Sequence, residues 1–179
     1  MKINLVYSLI SGGTYGGLPA LFLRPGGKEV EALKVVQTIR ETTQSLGMKK
    51  GILVIDDSTE AFDPETLPQI MDLGLCLEGF DLIGMSDGKR TPSFLRTVGY
   101  RIAVIDNEPW FKYTANEIWF EPESSLDEPD VGLNNLPKLK FIRVNNRITL
   151  TDAIKFAQNS QLMWGIINQP KKTIEVQIL

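Results

Sequence analysis

The chain has 179 residues, 42% of them apolar and 23% charged, with a net charge of −3, a make-up that predicts a single globular domain over residues 1–179 with a sizeable core. That charge exerts no long-range pull on nucleic acid, and the longest apolar runs fall short of a membrane span. The Met-Lys-Ile-Asn start lacks an apolar signal core, so an intracellular, cytoplasmic location is expected.

In chain order, Lys2–Leu9 reads as a first strand. The stretch from Ser11 to Gly27, SGGTYGGLPALFLRPGG, then sets Gly12-Gly13 and Gly16-Gly17 before the short strand ALFLR, which Pro25-Gly26-Gly27 closes. Paired glycines suit a tight turn or a close approach. Such a loop can also offer backbone N–H groups to an anion, but neither a Walker-type Lys-Ser/Thr nor a G-x-G-x-x-G accompanies it. From Lys28 to Met48 the apolar spacing of Val30, Leu33, Val36, Ile39, Thr43 and Leu46 predicts an amphipathic helix stopped by Gly47. GILVI (51–55) is a continuous apolar run, as in a strand buried on both faces, and it ends in Asp56-Asp57-Ser58-Thr59-Glu60.

Asp63-Pro64 looks like a cap and first helical residue for a helix through Ile70, Leu73 and Leu77 to Gly79, with Pro68 arguing for a broken or later first turn. DLIGMS (81–86) is a strand, Asp87-Gly88 a turn, and Thr91-Pro92 the opening of a short helix before the strand YRIAVID (100–106). IWFE (118–121) and LKFIRV (139–144) are further strands, separated by an acidic loop with the composition of a solvated excursion. Thr149 and Asp152 are spaced as a capping box before Ala153, Ile154, Ala157 and Leu162. LMWGII and TIEVQIL close the chain as strand-like segments. Strands alternating with helices predict an α/β fold with a mostly parallel sheet, whose binding crevice lies at the carboxyl ends of its strands.

Histidine is absent and Cys76 is the lone cysteine, so the commonest general base, the commonest transition-metal ligand and any internal disulfide are missing together. Cys76, within LGLCLEGF, is expected to be a buried packing residue. Zinc, haem or iron–sulfur sites made by this chain alone are not expected. Asp56, Asp57, Glu60 and Asp63 are carboxylates of the kind that gather magnesium, although Asp63 also serves as a cap and Glu60 as a solvated loop residue. Ser58 has no histidine to activate it as a nucleophile. Lys89-Arg90 is a candidate anion site or a plain surface turn, and Trp110, Phe111 and Tyr113 are either a lid on the core or stacking residues for a ligand or partner.

Gly17-Leu18-Pro19, Phe22-Leu23-Arg24 and Gly27 follow one another in an order that resembles the radical S-adenosylmethionine enzymes of the 7-carboxy-7-deazaguanine synthase type. IDDSTEAFDP (55–64) falls where that family has its ITGGEP segment, MSDGK (85–89) where it has E-T-N-G-T, Glu121-Pro122-Glu123 where it has S-P-K, and LKFIRV where it has L-K-F-V. The resemblance implies a partial (β/α) barrel with a curved, mostly parallel sheet and helices on its outer face. It implies a mouth bordered by Gly12–Gly17, Asp56–Glu60, Ser86–Arg90 and Glu121–Glu123.

The family's three cluster cysteines correspond to Lys28, Ala32 and Val35, so this chain cannot hold a [4Fe–4S] cluster in that way. The reading that follows is a non-catalytic protein with no cofactor or metal, serving a protein partner or a larger assembly through Trp110, Phe111 and Tyr113. The alternative is a purine- or nucleotide-binding enzyme that uses strand-end carboxylates with magnesium. Its ligand would meet Gly12, Gly13, Gly16, Gly17, Asp56, Asp57, Ser58, Ser86, Asp87 and Lys89.

Overall fold

A computed structural model describes residues 1–48, 50–87, 98–105, 115–121, 139–168 and 173–178. Within them run strands β1 (Lys2–Leu9) and β2 (Pro19–Glu29), helix α1 (Ala32–Ser45), β3 (Gly51–Asp57), α2 (Thr66–Cys76), β4 (Phe80–Ser86) and β5 (Tyr100–Ile105). They continue with β6 (Glu117–Phe120), β7 (Leu139–Arg143), α3 (Leu150–Asn159), β8 (Gly165–Ile167) and β9 (Thr173–Val176). All nine strands form one open sheet in the order β8-β7-β6-β5-β4-β3-β2-β1-β9. Every pairing from β2 to β8 is parallel, whereas β1 runs antiparallel to both β2 and β9. The mixed α/β class and the mostly parallel sheet are as expected, and the sheet is not a closed barrel.

Strand alternation sends successive side chains to opposite sides. On one side Leu21, Leu23, Leu53 and Ile55 pack with Val35 and Ile39 of α1 and with Ile70, Leu73 and Leu77 around α2. Further along, Ala103, Ile105, Ile118, Phe120 and Ile142 pack with Ala153 and Phe156 of α3. The strand register links these two groups, since Ile55 stands beside Gly84, Gly84 beside Arg101, and Ala103 beside Ile118. The three helices thus share one side of the sheet. The other side carries Phe22, Val54, Ile83, Met85, Ile102 and Trp119, and there the covering residues include Ile10 and Tyr15 from the glycine-rich segment.

Local signals explain several boundaries. The β3 strand is buried throughout, as its continuous apolar run requires. Gly47 ends α1 with φ at +61°, and the Met48 N–H reaches the Thr43 carbonyl while that of Gly47 reaches Gln44, which satisfies carbonyls left open by the helix end. Thr149 and Asp152 exchange hydrogen bonds as a complete capping box. Pro68 sits in the first turn of α2, where its missing N–H costs no helix bond.

Other expectations need correction. The crossover helix starts at Ala32, because β2 continues through Pro25-Gly26-Gly27 to Glu29, with a register irregularity between Lys2 and Ile3 on its partner strand. Its buried row is Val35, Ile39 and Thr43, while Leu33 is 80% exposed. The sequence offers two overlapping apolar rows, and packing on β2 and β3 selects the 35–39–43 row. Asp63 does not cap α2. Its carbonyl accepts from Thr66 and Leu67 in a turn, and the cap position falls to Glu65. Cys76 is exposed, at the end of α2. The expected helix at Thr91-Pro92 lies outside the described residues.

Candidate functional site

Residues at the carboxyl ends of the parallel strands come together on the side of the sheet away from the helices. Arg24 of β2 donates from Nε to Asp56 Oδ2 of β3 at 2.9 Å, and its guanidinium stands 5.2 Å from the centre of the Phe22 ring. Asp56 is 4% exposed, and its other oxygen accepts from the amide and the hydroxyl of Ser58. Across the sheet Arg143 of β7 pairs with Glu121 just beyond β6 and lies 5.4 Å from the Trp119 ring centre. Arg24, Asp56, Ser58, Met85, Trp119 and Arg143 enclose a cavity of about 20 Å³. That is room for one or two waters, far below the size of an ordinary ligand pocket.

The glycine-rich loop contributes Ser11 to this cavity and otherwise packs elsewhere on the same side of the sheet. Because β1 is antiparallel to β2, with Leu9 opposite Pro19, the loop leaves at the amino-terminal end of the parallel strands. Its Gly12–Gly17 part does not border a mouth at their carboxyl ends. From there it lies across the same side of the sheet. A Cβ on Gly12 would fall 2.5 Å from the side chain of Ile167 in β8, and one on Gly13, whose φ is +70°, would fall 2.0 Å from Glu117 Oε1. Gly16 and Gly17 close the loop on itself, donating to the carbonyls of Gly13 and Ile10.

The loop does present a main-chain N–H to an anion, and that anion belongs to the chain. Glu117, the first residue of β6, is 0% exposed. Its Oε2 accepts from the Thr14 amide at 3.0 Å and the Thr14 hydroxyl at 2.8 Å, and it shares the single Tyr100 hydroxyl proton, 3.0 Å away, with the Thr14 hydroxyl oxygen, which lies 2.8 Å from Tyr100. Its Oε1 accepts from the Trp119 indole at 2.8 Å. Burial, with a further contribution from the Glu117 charge, pushes the Tyr100 hydroxyl up to about 12, so that it remains a donor. The Tyr15 and Tyr100 rings meet edge to face, 4.9 Å apart.

The remaining sequence candidates do not converge. Asp57 follows Asp56 in β3 and so points to the helix side, where its Oδ1 accepts from the Phe62 amide. Ser86 is fully buried at the end of β4, beside Asp57 in the register, and Asp87 follows it. Among the described residues no group of three or more acids, cysteines or histidines is placed to hold a metal ion, so Asp56, Asp57, Glu60 and Asp63 are not gathered. Lys89, Arg90, Trp110, Phe111 and Tyr113, with Glu123 and the acidic loop, lie outside the described residues.

Sequence reasoning missed Thr14, Tyr100, Glu117 and Arg143. The signal was present in EIWFE, where Glu117, Trp119 and Glu121 alternate with Ile118 and Phe120 and mark a polar side of β6. No family model, curated protein or solved structure matches the chain.

Proposed function

We propose that this chain is a non-catalytic protein of the partial-barrel type, similar to the radical S-adenosylmethionine enzymes named above, and that it works by binding another protein or by taking a place in an assembly. One observation carries the reading. Among the described residues, the cavity at the carboxyl ends of the strands, beside Arg24 and Arg143, holds only about 20 Å³, and residues 12–15 pack on the same side of the sheet against Ile167, Glu117 and Tyr100. The described helices, all on one side, and strands that step steadily in one direction from β2 to β8 support the partial-barrel part of the reading. On it, the helix side is the outer face.

The residues do not fit an iron–sulfur cluster. Lys28 ends up on β2, Ala32 begins α1, and Val35 is buried within it, so none of the three offers a thiolate. Thermal melting with guanine-type compounds, S-adenosylmethionine and magnesium tests the proposal. Each is expected to leave the midpoint unmoved, because a ligand that binds only the folded chain must raise it. A saturable rise with any of them would transfer the case to the magnesium-assisted purine-binding alternative. For the partner itself, exchanging Trp110 and Phe111 for alanine is expected to abolish capture of partner protein with a modest loss of thermal stability. Unfolding would assign those rings to the core instead.

A further inference from the structure

The group around Glu117 is built like a ligand site. One main-chain amide, two hydroxyls and one indole N–H converge on a single buried carboxylate. No lysine or arginine among the described residues is paired with it. A carboxylate buried without a cation is tolerable only where its donors are already in place. Here they address the two oxygens separately, with Trp119 on Oε1 and with Thr14 and Tyr100 on Oε2. Gly13 adds shape, since any side chain there would occupy the position of Oε1. The donors come from the loop, from β5 and from β6, and they meet at the head group, with none directed at the aliphatic stem.

We infer that Gly13, Thr14, Tyr100 and Trp119 form a binding site for a small carboxylate, that Glu117 of the same chain is its resident ligand, and that free acetate enters when that side chain is cut back. Glu117→Ala removes an acetate-sized fragment and leaves its donors facing the gap. The inference does not depend on the proposed partner, since it concerns how the loop is fastened to the sheet.

The test is the melting of Glu117→Ala in sodium acetate, against sodium chloride at equal ionic strength and against the parent protein. The variant is expected to melt lower than the parent and to recover saturably, by about 3–6 °C at ten times the acetate dissociation constant. The parent should respond alike to the two salts. Formate, being smaller, should recover less, and benzoate should not act. If the variant is too unstable to purify folded, its refolding yield with and without acetate becomes the readout. Glu117→Gln is the second variant. It fills the gap while turning an amide donor toward donors, so it is expected to be destabilised and blind to acetate. Equal melting or equal refolding of Glu117→Ala in acetate and chloride would overturn the inference. So would an equal acetate response in the parent or in Glu117→Gln, or a Glu117→Ala variant as stable as the parent.

Discussion

Replacing Gly13 by alanine, with Gly17→Ala as its control, separates backbone strain from close approach. Both glycines have positive φ, +70° and +80°, a region that costs an L-residue about 1–2 kcal/mol. They differ in surroundings. A Cβ on Gly17 meets nothing within 4 Å, whereas one on Gly13 lies 2.0 Å from Glu117 Oε1 and 2.8 Å from its Cδ. The carboxylate must move to admit it, and the Trp119 and Thr14 bonds that hold it must lengthen or break. Hydrogen bonds to a charged acceptor contribute about 1.5–3 kcal/mol each. Losing one of them on top of the strain gives about 3–5 kcal/mol for Gly13→Ala, against about 1 kcal/mol for Gly17→Ala. Urea unfolding followed by tryptophan emission measures both. In the double variant Gly13→Ala, Glu117→Ala the clash has no partner, so the two losses should fall short of additive. Losses for Gly13→Ala and Gly17→Ala that agree within about 0.5 kcal/mol would refute the close packing of loop on carboxylate.

Three further outcomes are expected. Thr149→Ala removes the cap of α3 and should cost about 1 kcal/mol in urea unfolding. The Thr149 hydroxyl and amide also hold the Asp152 carboxyl below its usual range, so that contribution is present above the unfolded pKa and is lost as pH falls through the folded one. Thr149→Ala should flatten that acid limb. For Tyr100, the difference between ultraviolet phenolate titrations of the parent and Tyr100→Phe should have its midpoint near 12. Its raised value means that the stability it contributes is intact below about 10 and declines as pH rises from there toward the folded value, and a difference curve centred near 10 would refute its burial against Glu117. Arg24→Ala strands the buried Asp56 and should cost about 2–3 kcal/mol, less than a fully buried pair because the Arg24 side chain is 26% exposed. The double variant Arg24→Met, Asp56→Asn should recover most of that loss.

What was legible in the sequence was local. The β3 run, the Gly47 stop and the Thr149–Asp152 box each depend on residues within a few positions of one another, so their chemistry can be read off the chain. Strand direction is not written locally. Alternation in Lys2–Leu9 looks the same whether β1 runs with β2 or against it, and that one choice moves the glycine-rich loop from the carboxyl ends of the strands to their amino ends. Cys76 shows the same limit, since the apolar run around it does not tell which side of a helix end faces solvent. Glu117 was harder still. One acid before an apolar strand reads as a surface residue until Thr14, 103 positions away, is brought against it.

The polar groups on the covered side of the sheet bear on function through their balance. Arg24 is matched by Asp56, Arg143 by Glu121, and Glu117 by neutral donors. A surface built to bind a charged ligand keeps some charge or donor uncommitted until the ligand arrives, since that shortfall is what the ligand makes good. Here the pairing is internal, and among the described residues the space beside Arg24 and Arg143 is water-sized. Opening the part of this side that the loop occupies would mean lifting the loop from Glu117 and taking the two Thr14 donors from a buried carboxylate, a loss of several kcal/mol out of a domain's whole stability of about 5–15 kcal/mol. On the proposed reading, the exchange of an open pocket for a fastened loop is what turns a catalytic scaffold into a stable block, whose recognition must then fall to its exterior.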